Sequence, residues 1–446
     1  MAKFWSGCVF CWIFLSASYT SAQSANSLPV FPGASGFGVF TPAGSGRNVS
    51  PPQTTVVKVT SLADSGAGTL RDCIKRSVSR VCVFEVGGRI QLTSELLIDK
   101  PYLTIAGQTA PAPGIVLAGA GIRVATNDVL IRHLQILVGD SKLGPKPENR
   151  DALNVAGKGS SVAKNVVLDH LSLEWAIDEN FDIWYPSTSD VTLSNSIVAE
   201  GLYKSIHPKG PHGMGMLLGD GAKQLSIHHS VLAHNNDRNP RLKPGSQVEF
   251  VSNVVYDWGG SSSWNQANIS DSDKTGIPTQ LVFLGNYYKP GPSSPKGATV
   301  YGKPPASGSR VYTLSNYGPT RSNDAQNDWA ISGLPETPYR SMLPPFALSG
   351  IVPSAPTDTL QQVLTHAGSR PRESNPVDRR IISEITLGTG TIKDCVSGCA
   401  RAGGGYPALP STYRALFVPS NPNADDNGNG YTNLEEWLQE LAWALE

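Results

Sequence analysis

Val129-Leu130-Ile131, Val166-Val167-Leu168-Asp169-His170, Val191-Thr192-Leu193, Leu225-Ser226-Ile227 and Val248-Glu249-Phe250 are short, largely apolar runs that recur through the middle of the chain. Each is followed within a few positions by Asn, Asp or His. The signal continues outward in both directions, through Val83-Phe84-Glu85-Val86 and Leu103-Thr104-Ile105 before and through Leu281-Val282-Phe283 and Val311-Tyr312-Thr313 after. From Leu103 onward the starts of neighbouring runs lie 23 to 37 residues apart. Short strands at such a period predict a stacked β-solenoid, in which each coil buries its inward side chains on those of the next. Polar corner residues close the turns. The rival is a β-sandwich, which needs tight two-residue hairpins; Asn-Gly and Asp-Gly pairs between strands are rare here.

Composition agrees. With 45 Gly, 34 Pro and 16% charged residues, the 446-residue chain favours many short strands joined by turns over long helices. The solenoid is expected over residues 23–320. A Pro/Ser/Thr-rich segment, residues 321–415, is expected to pack on its outside, and residues 416–446 to form a separate calcium-loop extension with a terminal helix.

At the start, Lys3, the apolar run from Cys8 to Ala17 and the small residues Thr20-Ser21-Ala22 have the layout of a secretory signal peptide over residues 1–22. The run is too short to span a bilayer. A secreted, extracellular protein without a membrane partner is therefore expected. Of six cysteines, Cys8 and Cys11 leave with the leader. The remaining four suggest two local disulfides, Cys73 with Cys82 and Cys395 with Cys399. A zinc site is disfavoured, because the two pairs are far apart in sequence and no histidine lies near either. Asn48-Val49-Ser50 and Asn268-Ile269-Ser270 are glycosylation sequons, with Asn48 and Asn268 as acceptors.

Lys plus Arg and Asp plus Glu each total 36, and the leader carries one of the lysines, so the mature chain is close to neutral. That argues against nucleic acid, which needs a basic surplus. Nothing in the sequence calls for an oligomer, and a monomer is expected.

Two acid-rich stretches point to a cation. Near the C-terminus, Asp425, Asn427 and Asn429 fall at positions 1, 3 and 5 of an EF-hand-like loop. Gly430 supplies the sharp turn, Tyr431 a backbone carbonyl and Glu436 the final carboxylate. Asn in place of Asp at two positions predicts modest affinity for Ca2+, in a structural role. In mid-chain, Asp151 and the pair Asp178 and Asp182 can aim at one place, where crowded carboxylates repel unless a cation lies between them. Some fifty residues later, Arg238-Asn239-Pro240-Arg241-Leu242-Lys243 packs three cations into six residues, with Lys204 and Lys209 upstream. Acids that hold calcium beside a basic cluster suit a polyanion.

At these residues the chain resembles polysaccharide lyase family 1, the pectate lyases. The likeness runs from Phe31-Pro32-Gly33-Ala34-Ser35-Gly36-Phe37-Gly38 through Thr104-Ile105-Ala106-Gly107-Gln108-Thr109-Ala110 and Asp169-His170 to the arginine-rich segment. It implies an all-β, right-handed parallel β-helix and calcium-assisted β-elimination of α-1,4-polygalacturonate. By the same resemblance, Asp151, Asp178 and Asp182 hold calcium, Arg238 abstracts the proton, and Arg241, Lys243 and Lys209 or Lys204 bind substrate. Lys243 stands where the family usually has a third arginine, which keeps the charge but loses the bidentate fork. The alternatives are a pectin lyase that works without calcium, a polygalacturonase, whose clustered-acid motifs are missing from mid-chain, and a non-catalytic polysaccharide-binding β-helix.

Overall fold

The computed structural model describes residues 28–259, 268–269, 276–295 and 306–446, with Asn268 and Ile269 described by backbone alone. The expected leader and the Asn268 side chain lie outside the described residues. The chain winds as a right-handed parallel β-helix, the hand that parallel crossovers adopt. Three parallel ladders run its length. The first links Thr55–Val59, Arg80–Phe84, Leu103–Ala106, the first half of Val129–Leu137 and of Ala163–Glu174, then Thr188–Ser194, Lys223–His228, Gln247–Val251, Gln280–Leu284 and Arg310–Leu314. The second includes Val86–Gln91, Ile115–Ala118, Ile197–Ala199, Val231–Ala233, Val254–Tyr256 and Tyr287–Lys289. The third links Leu96–Ile98, Ile122–Val124, Leu153–Ala156, Glu179–Trp184, Met214–Leu218, Arg241–Leu242 and Asn268–Ile269.

Register explains the apolar runs. Val129, Val166, Val191, Leu225, Val248, Leu281 and Val311 face one another in successive coils, buried in a single core. Full burial of such a side chain contributes about 1.5–3 kcal/mol. The polar residue after each run makes the corner. His133, His170, Asn195, His229, Ser252 and Ser315 all adopt left-handed φ between the first and second ladders. Asn and His tolerate that region better than most residues. One position further on, Ser196, Ser230, Asn253, Asn286 and Asn316 form a polar file. The Oγ or Oδ1 of each accepts the backbone N–H of its counterpart one coil earlier, as in Asn253 N–H to Asn286 Oδ1 at 2.9 Å and Asn286 N–H to Asn316 Oδ1 at 3.0 Å. Buried amides at the corners are thereby satisfied.

Both ends of the core are plugged. The helix Leu70–Ile74 covers one, its Cys73 bonded to Cys82 of the neighbouring strand. Trp329, Ile331 and Leu334 cover the other. Two of the three outer faces are also covered. Helices Pro356–His366 and Pro376–Leu387 lay Val363, Ile381 and Ile385 on Ile197, Val231 and Val254 of the second ladder. The last helix, Asn433–Trp443, sets Leu434 and Leu438 on Val81 and Val83 of the first. Cys395 and Cys399 close a small loop between these helices. The outward row of the third ladder instead floors an open groove.

Candidate active site

In register, that outward row reads Arg123, Asn154, Asp182, Leu217 and Arg241, one residue per coil. It floors a groove of about 600 Å³ lined by Asp151, Asp178, Glu179 and Asp182, with Lys146 and Lys158 on its walls. Alternation within a strand explains the placement: Phe181 and Ile183 point into the core while Asp182 points out. Asp151 and Asp178 sit at the turns before their strands and meet Asp182 from the side. Asp151 Oδ1 accepts the Glu179 N–H at 3.1 Å.

The carboxylates are unequal. Burial first, then the neighbouring Asp182 and Asp178, pushes Asp151 well above the usual carboxylate range. Burial likewise raises Asp182 to about 7, against hydrogen bonds from Asn154 and Trp184 that favour the anion. For Asp178 burial is outweighed by His212, which lies 2.6 Å from its Oδ1, and by Arg238, so its pKa is lowered. His207 stacks on His212 with ring centroids 3.9 Å apart. Asp182 Oδ2 accepts from Asn154 Nδ2 at 2.6 Å and from the Trp184 indole N–H, while Oδ1 is buried with no hydrogen-bond partner.

Arg238 leaves the next coil in a left-handed conformation and reaches back over this cluster. Its guanidinium contacts the Glu179 carboxylate, and Nη1 lies 3.9 Å from Asp178 Oδ1. A buried amide chain sets the turn beneath it. Asn180 Nδ2 donates to Asn235 Oδ1 at 3.0 Å, and Asn235 Nδ2 donates to Asn239 Oδ1 at 3.0 Å. Burial and the nearby Arg241 lower the Arg238 pKa to about 10, against the pull of Asp178 and Asp151.

The other basic residues are dispersed. Lys243 lies across the Trp184 ring, 5.2 Å from its centroid, and 3.6 Å from Asp220. Lys209 is exposed, beside His207, and its charge helps lower the pKa of that ring after burial and His212. Lys204 is exposed, its backbone N–H bonded to Asp394 on the far side of the loop. Asn154, Trp184, His207, His212, Lys146 and Lys158 escaped the sequence reading as site residues. Asn154 is tied to Asp182 by a register that no local pattern displays, whereas Trp184 lies two residues along the same strand.

A second convergence of oxygens lies in the C-terminal loop. Asp425 Oδ1 accepts from Gly428 N at 2.8 Å, and Oδ2 from Gly430 N at 2.8 Å. The amides of Asn427 and Asn429 both donate to Glu436 Oε1, at 2.6 and 2.7 Å. Tyr431 follows, its N–H bonded to Asn429 Oδ1 at 2.9 Å. Thr432 then caps the final helix reciprocally with Glu435. Asn48 is exposed.

Crowded acids beside an arginine, in a groove on the flank of a parallel β-helix, are the equipment of a polysaccharide lyase. Probable pectate lyase C of Aspergillus fumigatus is 31% identical over 446 residues, 94% of this chain and 95% of its own. The protein of that name from Neosartorya fischeri shows the same identity and coverage. The chain belongs to the pectate lyases, and its curated relatives are those named probable pectate lyase C. No protein-family model matches it. Among solved structures, a pectate lyase described for its anti β-elimination mechanism aligns with a TM-score of 0.52 at 13% identity, covering 77% of this chain and 98% of its own. A pectate lyase bound to a hexasaccharide aligns at 0.51 and 14% identity, covering 78% and 99%. At such identities these two speak for the fold.

Proposed function

We propose that this pectate lyase is a secreted enzyme that cleaves α-1,4-polygalacturonate by calcium-assisted β-elimination in the third-ladder groove. The observation that carries the reading is the cluster Asp151, Asp178 and Asp182, crowded enough to raise two of its members and facing the part-buried Arg238. The unpartnered Asp182 Oδ1 and the mutual repulsion of the acids fit a hard divalent cation with oxygen ligands. Asp151, Asp178 and Asp182 would hold calcium there, and the ion would supply neutralisation of the substrate carboxylate and so acidify the neighbouring C–H.

The protein's own groups do the rest. Arg238, in its neutral form, takes the proton from C5 of the uronate. Burial and Arg241 favour that form by lowering the arginine pKa to about 10, so the rate rises with pH toward that value. Arg241 and Lys243 hold the carboxylate on which negative charge grows. Lys209, whose charge reaches His207 near Asp178, is preferred over Lys204 as an outer contact. Elimination breaks the C4–O4 bond and leaves an unsaturated uronate end. In the C-terminal loop, Asp425, Asn427, Asn429, the Tyr431 carbonyl and Glu436 bind a second, structural calcium. Two disulfides suit an oxidising, extracellular compartment. Among the described residues, no helix is long and apolar enough to cross a membrane.

The test is ultraviolet detection of unsaturated ends from polygalacturonate at alkaline pH. Product that needs calcium, disappears with chelator and is lost in Arg238→Ala supports the reading. Product formed equally well in chelator would point to a pectin lyase type of site.

A further inference from the structure

Trp184 ends the third-ladder strand Glu179–Trp184 and touches both halves of the site. Its indole N–H donates to Asp182 Oδ2, the same oxygen that accepts from Asn154. With Oδ2 held from two sides the carboxylate cannot rotate, and Oδ1, without a hydrogen-bond partner, is left for the groove. The face of the same indole carries the Lys243 ammonium, 5.2 Å from the ring centroid.

That second contact spans two coils. Ile183, Leu218 and Leu242 stand in register, so Trp184, Gly219 and Lys243, which follow them, stand in successive coils. The lysine stem passes over Gly219. A Cβ at Gly219 would lie 2.7 Å from Lys243 Cγ and 2.9 Å from its Cβ. A side chain in the intervening coil would therefore lift the lysine from the tryptophan. The alternative partner of Lys243 is Asp220, at 3.6 Å on the exposed rim.

We propose that Trp184 is a positioning residue that fixes the acidic and basic halves of the site relative to each other, its N–H orienting Asp182 and its ring face, across Gly219, orienting Lys243. This rests on the reading of Asp182 as a calcium ligand and Lys243 as a substrate contact. The two functions are separable because they use different parts of one side chain.

Calcium titration of the full-length protein by calorimetry and steady-state kinetics on polygalacturonate, run together, test it. Asp182→Asn first identifies which calcium isotherm belongs to the groove. If that variant loses no isotherm, the calcium reading itself fails, independently of Trp184. Trp184→Phe keeps the ring and removes the N–H. It should weaken the groove isotherm roughly tenfold or more, the usual effect of losing a partner that orients a metal ligand. Gly219→Ala keeps the N–H and displaces the lysine. It should raise KM several-fold while leaving the groove isotherm unchanged, and Lys243→Ala should add little to it. Trp184→Leu should show both defects. The proposal is overturned if Trp184→Phe binds calcium as tightly as the parent, or if Gly219→Ala and Lys243→Ala act additively on KM.

Discussion

Two of the buried charge clusters on this solenoid, lying on different faces, are built in opposite ways. Under the last helix, Asp169 Oδ2 accepts from Arg132 Nε at 2.9 Å, and its Oδ1 from Ser194 and Asn195. The Glu446 carboxylate pairs with the same arginine at 2.6 Å. Burial alone would raise Asp169, but His170 and Arg132 outweigh it, and its pKa sits well below the usual range. In the groove, burial first and then the neighbouring carboxylates raise Asp151 and Asp182, while the guanidinium of Arg238 rests on Glu179. The first cluster is a completed staple that fastens the C-terminus to the coils. The second crowds acids that its neighbours do not fully neutralise, which marks a functional site rather than a staple and is what the proposed cation would relieve.

The largest expected effect separates chemistry from architecture. Arg238→Ala should lower kcat by roughly 10³-fold, about 4 kcal/mol of barrier, with little change in melting temperature. A comparable loss of stability would mean that Arg238 belongs with the staples. Next comes Asp169→Asn, which removes the more buried of the two carboxylates paired with Arg132 and should destabilise by about 3 kcal/mol, read from chemical denaturation, while KM stays near the parent value. The third expectation is a contrast of sign with pH. Asp182 is raised, so in chelator its contribution is present in acid and is lost as pH climbs through about 7. Asp169 is depressed, so its contribution is present at neutral pH and is lost on acidification. Melting temperature against pH, with chelator and with calcium, should show the neutral-side decline only in chelator, and Asp182→Asn should flatten it. The smallest effect belongs to the C-terminal loop. Glu436→Gln should cost only a few degrees of calcium-dependent melting temperature and leave turnover intact.

Much of the solenoid was legible because stacking forces similar residues to recur at each coil: Val166, Val191 and Leu225 advertise themselves. The corners were half legible. His170 and Asn195 stood out as polar residues after apolar runs, but their left-handed φ is a property of the closed coil. Asp178 and Asp182 could be paired from their spacing, although only Asp182 is on the strand and Asp178 reaches the groove from the turn before it. Asn154 could not, because it meets Asp182 only through register between coils of unequal length, whereas Trp184 stands two residues from Asp182 on one strand and its spacing was there to be read. The likeness to pectate lyases drew attention to Arg238. It could not say that the guanidinium rests on Glu179, nor that the segment 205–216 brings His207 and His212 to Asp178.

The polar file from Ser196 to Asn316 makes each coil a template for the next, since the backbone amides of Ser196, Ser230, Asn253 and Asn286 are each satisfied by the turn that follows. Such a stack is a one-dimensional crystal, and nothing in the repeat itself tells it to stop. The helix Leu70–Ile74 and the Trp329–Leu334 plug are therefore its growth terminators. Without them, bare strand edges at either end would invite another molecule to continue the lattice, and the enzyme would become the seed of a fibre.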